Sequence, residues 1–138
     1  QQYKEKIIET FTLNEIFKDF NLNTKKNMLI KLDIEGKELV ALESIENIIK
    51  SNENIDFIIE IMINDEDKYK IFNFMIEKGY KAYLLTNYGF VKEERPLTLP
   101  KYNIQNKIAK TCWKNHFFTK KNNDHIKEVS IKEFGYYI

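Results

Sequence analysis

Two apolar runs, each followed by a helix-period segment, constrain this chain more than anything else in it. "MLIKLDI" (28–34) is apolar apart from Lys31 and Asp33. From Gly36 the period changes: Leu39, Leu42, Ile45, Ile48 and Ile49 recur at three or four, which predicts a helix over roughly residues 36–50. "SNEN" (51–54) breaks it, and "IDFIIEIMI" (55–63) opens a second run with Glu60 inside it. "DEDKYKIFNFMIEKGY" (65–80) is a second helix, with acids at its positive end and Gly79 as its C-terminal cap. "KAYLLTN" (81–87) is a third strand. Two strand–helix–strand units in succession imply parallel strands with right-handed crossovers. Runs this apolar suit strands covered on both faces.

The flanks are less regular. "KIIETFTLNEIF" (6–17) reads as a short strand and then a helix capped by Thr12, with Glu15 at capping-box spacing. "NLNTKKN" (21–27) is a polar loop. "NYGFVKEERPLTLPKYN" (87–103) holds both prolines and shows no period, so it is expected to be a long loop. "KNHFFTKK" (114–121) is expected to be a last strand, antiparallel to 81–87 at a sheet edge. The expectation is one α/β domain over residues 1–121, its sheet mostly parallel with an antiparallel edge hairpin, and a charged tail over 122–138.

A chain of 138 residues fits one domain. Its 22 basic and 21 acidic residues leave a net charge of +1 and alternate along the sequence, which gives no footprint for nucleic acid or an anionic membrane. No run approaches the ~18 apolar residues of a membrane helix. One cysteine, Cys112, cannot form an internal disulfide and fits a reducing, cytoplasmic setting. The first residue is Gln rather than Met, which suggests processing or a piece of a longer protein.

Asp33 and Glu35 stop the first apolar run, and Gly36 follows at once. Two apart in a strand, they would share a face and emerge at its carboxyl end, where open parallel sheets keep their ligands. Gly36 lets the chain turn sharply there. The competing reading is a helix cap, worth ~0.5–1 kcal/mol. Glu60 raises the same question on the second strand: a buried carboxylate needs a partner, either a ligand or a neighbour such as Lys31. His116, beside aromatics, reads as a satisfied structural histidine, and His125 as a solvated one. Two isolated histidines and one cysteine do not supply a metal site. His116 is four residues from Cys112, a weak match to a catalytic pair. "FNFMI" (72–76) reads as core. No Gly-rich phosphate loop occurs in the sequence.

Taken together, "LIKLDIEGKELVALESIENII", "IDFIIEI" and "EKGYKAYLL" resemble the C-terminal half of FkbM-type S-adenosylmethionine-dependent methyltransferases. Lys31, Asp33, Glu35, Gly36 and Glu38 match the block that ends that family's fourth strand, with Leu32 and Ile34 as conservative departures. "TLNEIF" (12–17) is similar to a preceding element, with Asn14 in an acid's place. Ile59, Glu60 and Ile61 match its fifth strand, and Lys78, Gly79 and Tyr80 the element after it. "NHFFTKK" resembles the strand that closes the sheet. The resemblance covers about residues 7–120. It implies a Rossmann-like sheet, S-adenosylmethionine as cofactor and methyl transfer to a hydroxylated small-molecule or glycan acceptor such as a sugar. Asp33 would then line the methyl site and position or deprotonate the acceptor. Glu35 and Glu60 would hold acceptor hydroxyls, and Lys31 would orient Asp33 by charge. The family's Gly-rich cofactor loop and its ribose-binding acid have no counterpart here. The expectation is therefore the C-terminal portion of a longer enzyme, inactive alone, with a sheet edge open to self-association. The alternative is a non-catalytic α/β interaction module.

Overall fold

A computed structural model describes residues 7–22, 26–61, 68–86, 89–94, 115–122, 126 and 128. The elements run α1 (Leu13–Asp19), β1 (Met28–Leu32), α2 (Glu38–Ser44), α3 (Glu46–Ser51), β2 (Ile55–Glu60), α4 (Lys68–Glu77), β3 (Lys81–Thr86), β4 (Gly89–Glu93) and β5 (Asn115–Thr119). Cys112, His125 and most of the expected tail lie outside the described residues.

The five strands form one sheet in the order β1-β2-β5-β3-β4. β1 and β2 pair in parallel, from Met28 opposite Ile55 to Leu32 opposite Ile59. β5 is antiparallel to both β2 and β3. β1, β2 and β3 therefore point the same way, as the crossover rule requires. The expectation of a mostly parallel sheet is corrected: only the β1–β2 pairing is parallel, and the other three are antiparallel. β5 pairs with β3 as expected, but it lies inside the sheet, not at its edge. The antiparallel edge hairpin is instead β3–β4, which falls partly in the segment expected to be loop. Val91 and Glu93 alternate inward there, a pattern too short to stand out beside Gly89 and Lys92.

Local chemistry sets the element ends. The Thr12 hydroxyl accepts from the Glu15 N–H at 3.2 Å, and the Glu15 carboxylate accepts from the Thr12 N–H at 2.7 Å. The Thr12 N–H holds the Glu15 carboxyl below its ordinary range, so this cap is complete above pH 4.5 and fades as pH falls through the lowered value. No strand precedes it among residues 7–12, and Ile7 and Ile8 are exposed, contrary to expectation. The single helix expected over 36–50 is two, broken at Ile45 (φ −117°, ψ 21°). The Ser44 hydroxyl, which donates to the Ala41 carbonyl at 2.7 Å, competes with the helix ladder at that break. α4 ends as the sequence indicated. Gly79 has φ +84°, its N–H donates to the Ile76 carbonyl, and the Tyr80 N–H reaches back to Met75.

All four helices pack on one face of the sheet. Phe17, Leu42, Ile49, Ile71, Phe72 and Met75 share a core cluster with Leu32, Phe57, Ile59, Ala82 and Phe118. The opposite face of β1 is open, with Leu29 60% exposed, so the expectation of cover on both faces is also corrected. β1 ends the sheet, and its outer edge has no strand partner among the described residues. At the amino end of the parallel strands, the Tyr80 hydroxyl donates to the Ile55 carbonyl at 3.1 Å. Burial, then the charge of Asp56, push the Tyr80 phenol well above its ordinary value. Lys120 donates to the Ile49 carbonyl and Lys121 pairs with Asp56, each at 2.7 Å, tying the end of β5 to α3 and β2.

A buried polar pair joins β5 to β4. His116 Nδ1 lies 2.6 Å from Glu93 Oε2, with both side chains buried. Leu84 of β3 stands opposite His116, and Ala82 stands opposite Glu93, so the two meet across β3 where the small Ala82 leaves room. His116 is thus a satisfied structural histidine. Removing one partner strands a buried polar group, whereas replacing both restores an apolar core. Glu93→Ala is expected to cost about 3 kcal/mol in urea unfolding, and the double change Glu93→Leu/His116→Phe to recover more than half of it. A double change as damaging as the sum of its single changes would contradict this.

Candidate functional site

β1 and β2 end at the same level: Leu32 pairs with Ile59, so Asp33 and Glu60 follow on adjacent strands at the carboxyl edge. Glu60 is the last residue of β2, not its middle, and is half-buried. Asn115 of β5 stands opposite it in register, and its Oδ1 is buried with no hydrogen-bond partner among the described residues. Lys31 shares the sheet face of Ile58 and Glu60, on the side away from the helices. Its ammonium donates to Asp33 Oδ2 at 2.7 Å, and the Asp33 side chain is 38% exposed. The Asp33 carboxylate, with a smaller push from the charge of Glu60, holds the Lys31 ammonium above its usual 10.5. Lys31 thus orients Asp33 and answers part of the charge of Glu60.

Glu35 departs from expectation. The strand stops at Leu32, and Glu35 takes a left-handed backbone with φ +54°, followed by Gly36 at +92°. Alternation is therefore lost, and Asp33 and Glu35 do not share a strand face. Both are exposed at the mouth of the β1–α2 connection. A hollow of about 180 Å³ lies between α1 and the α2–α3 bend, and none of Asp33, Glu35 or Glu60 lines it.

The acid that organises this connection is Glu38, which the sequence offered only as part of a motif. Only 3% exposed, it accepts from the Ile34 N–H at 2.9 Å through Oε1 and from the Gly36 N–H at 3.0 Å through Oε2. Glu38 thus braces the backbone ahead of α2 rather than capping the helix, whose N-cap Lys37 makes no side-chain cap bond. The signal was present in the sequence: an acid in the first turn of a helix whose N-cap, Lys37, makes no side-chain cap bond. Asn115, the other residue missed, is a lone amide at a strand start and carried no signal at all.

Residues 1–82, more than half of the chain, match a sequence profile described as Methyltransferase FkbM domain. The chain belongs to the FkbM methyltransferase family. Comparison with curated proteins and with solved structures gave no significant match. The matched residues include Asp33, Glu35, Glu38 and Glu60, and stop short of β4 and β5. An FkbM methyltransferase implies an S-adenosylmethionine-type donor. Gly36 is needed for its φ, not for close approach, since a carbon added to it meets nothing within 4 Å. No glycine-rich cradle between a strand and a helix occurs in these 138 residues. No group of three or more His, Cys, Asp or Glu able to hold a metal ion occurs among the described residues, and no described helix is long and apolar enough to cross a membrane.

Two hydrogen bonds to a buried carboxylate are each worth about 1.5–3 kcal/mol. Glu38→Ala is therefore expected to cost about 2–4 kcal/mol in urea unfolding, more than Glu35→Ala, which removes an exposed side chain. Equal costs would remove Glu38 from its place in this connection.

Proposed function

We propose that this FkbM methyltransferase domain transfers a methyl group from S-adenosylmethionine to a hydroxyl of a sugar-like acceptor at the carboxyl edge of β1 and β2. The supporting observation is the Lys31–Asp33 pair on the strand end that the family match covers, next to Glu60. The sheet, with three strands in one direction and helices on one face, is compatible with a Rossmann-like methyltransferase. Methyl transfer is a displacement at a methyl carbon, for which the protein must align the acceptor oxygen and, as the bond forms, take its proton. Asp33 is the residue for that task. Its carboxylate accepts the hydroxyl hydrogen, and Lys31 restricts its orientation. Glu60 and Glu35 accept from other hydroxyls. A surface rich in hydrogen-bond acceptors favours an acceptor molecule rich in hydroxyl donors.

In the protein as its gene encodes it, Asp33→Asn is expected to lower turnover at least ~100-fold while leaving the unfolding midpoint within ~2 °C. Turnover near that of the wild type would exclude Asp33 from the chemistry. Titration calorimetry with S-adenosylmethionine separates the enzyme from a non-catalytic module, which would show no binding heat.

A further inference from the structure

The carboxyl-edge acids sit on a stretch of backbone that is costly to hold. Glu35 occupies the left-handed region at φ +54° and Gly36 follows at +92°. For a residue with a side chain that conformation costs ~1 kcal/mol or more. Were a turn all that was needed, glycine at position 35 would remove the strain. A carboxylate is carried there instead, and a second carboxylate is buried to hold the turn: one oxygen of Glu38 takes the Ile34 N–H and the other takes the Gly36 N–H. Burying a charge is unfavourable unless such bonds satisfy it. The helix start itself does not demand it, because N-caps are commonly made by an uncharged hydroxyl or amide.

We infer that Glu38 is the positioning residue of this site: its two-pronged grip on residues 34–36 fixes where Asp33 and Glu35 stand. The consequence for catalysis rests on the methyl-transfer reading, whereas the grip itself does not. The grip closes a ring between the end of β1 and the first turn of α2. Asp33 is the residue between that ring and the strand, and Lys31 is its partner on the strand side. With the ring intact, Asp33 is held from both sides. With it open, the restraint from the helix side is lost and the Lys31 contact remains on the strand side.

Glu38→Gln is the deciding variant, since it keeps the shape but offers an N–H₂ where the second backbone N–H needs an acceptor. Amide exchange at Ile34 and Gly36 should quicken at least ~tenfold, with Phe57 and Ile59 unchanged. The HN–Hα coupling of Glu35 should leave its left-handed value. The Lys31 ammonium, which the Asp33 carboxylate 2.7 Å away holds above its ordinary value, should fall back toward 10.5, and an Asp33→Asn control is expected to show the same fall. In turnover, kcat should fall at least ~tenfold with the donor KM within ~twofold. If the amides open while Glu35 and Lys31 keep their wild-type values, Glu38 is only a helix brace and the inference fails. It fails equally if the amides stay protected. Gly36→Ala is the second variant, should Glu38→Gln not fold. It strains the same turn without a clash, and must shift Lys31 in the same direction. None of the spectroscopic readouts uses a methyl donor. A protein that transfers no methyl group therefore leaves the grip standing, and a failed grip leaves methyl transfer standing.

Discussion

Strand β5 holds this fold together. It enters antiparallel between β2 and β3, and each of its neighbours bonds to it along four residue pairs. Without it the parallel pair β1–β2 and the hairpin β3–β4 would share no edge. Its side chains serve both faces: Phe118 meets Phe72 of α4 in the core, and Phe117 packs against Phe90 on the other side. Its far end is pinned by Lys120 to the Ile49 carbonyl and by Lys121 to Asp56. Its near end brings Asn115 beside Glu60 and His116 into contact with Glu93. A strand that comes last in the sheet's sequence order thus sets the spacing of everything around it.

That placement was not legible in the sequence, for a physical reason. The apolar runs at 28–34 and 55–63 and the periods after them report local burial, and they located β1, β2 and the helices within a few residues. The capping box at Thr12 and the Gly79 cap are local too, and both were legible. Which strand lies beside which is a property of contacts far apart in the chain. "NHFFT" reads the same at an edge as in the middle. Glu93 has its partner 23 residues away in His116 and reads alone as a solvated loop acid. The end of β1 was overestimated because Ile34 resumes the apolar pattern beyond Asp33, while the backbone turns there for Glu38. The open second face of β1 was likewise invisible, since Leu29 and Ile30 are equally apolar in the sequence.

The candidate site was legible in part. The carboxyl end of β1 and the placement of Asp33 just beyond it followed from strand direction alone. The assumption that Asp33 and Glu35 alternate as in a strand did not survive, because two consecutive left-handed residues break the alternation. What replaces it is a division of labour among four acids. Glu38 is buried and bonded to backbone, Asp33 is paired with Lys31, Glu60 is half-buried on the next strand, and Glu35 is exposed on the turn. Charged groups in such different settings are suited to different tasks, and only the exposed and half-buried ones can meet a substrate.

We propose that this edge holds an acceptor hydroxyl for methylation. The direct measurement is the fate of a radiolabelled methyl group when the protein as its gene encodes it is incubated with labelled S-adenosylmethionine and a panel of glycans. Label is expected in an alkali-stable ether on a sugar oxygen. Label on nitrogen or carbon, or no transfer to any hydroxylated acceptor, would contradict it.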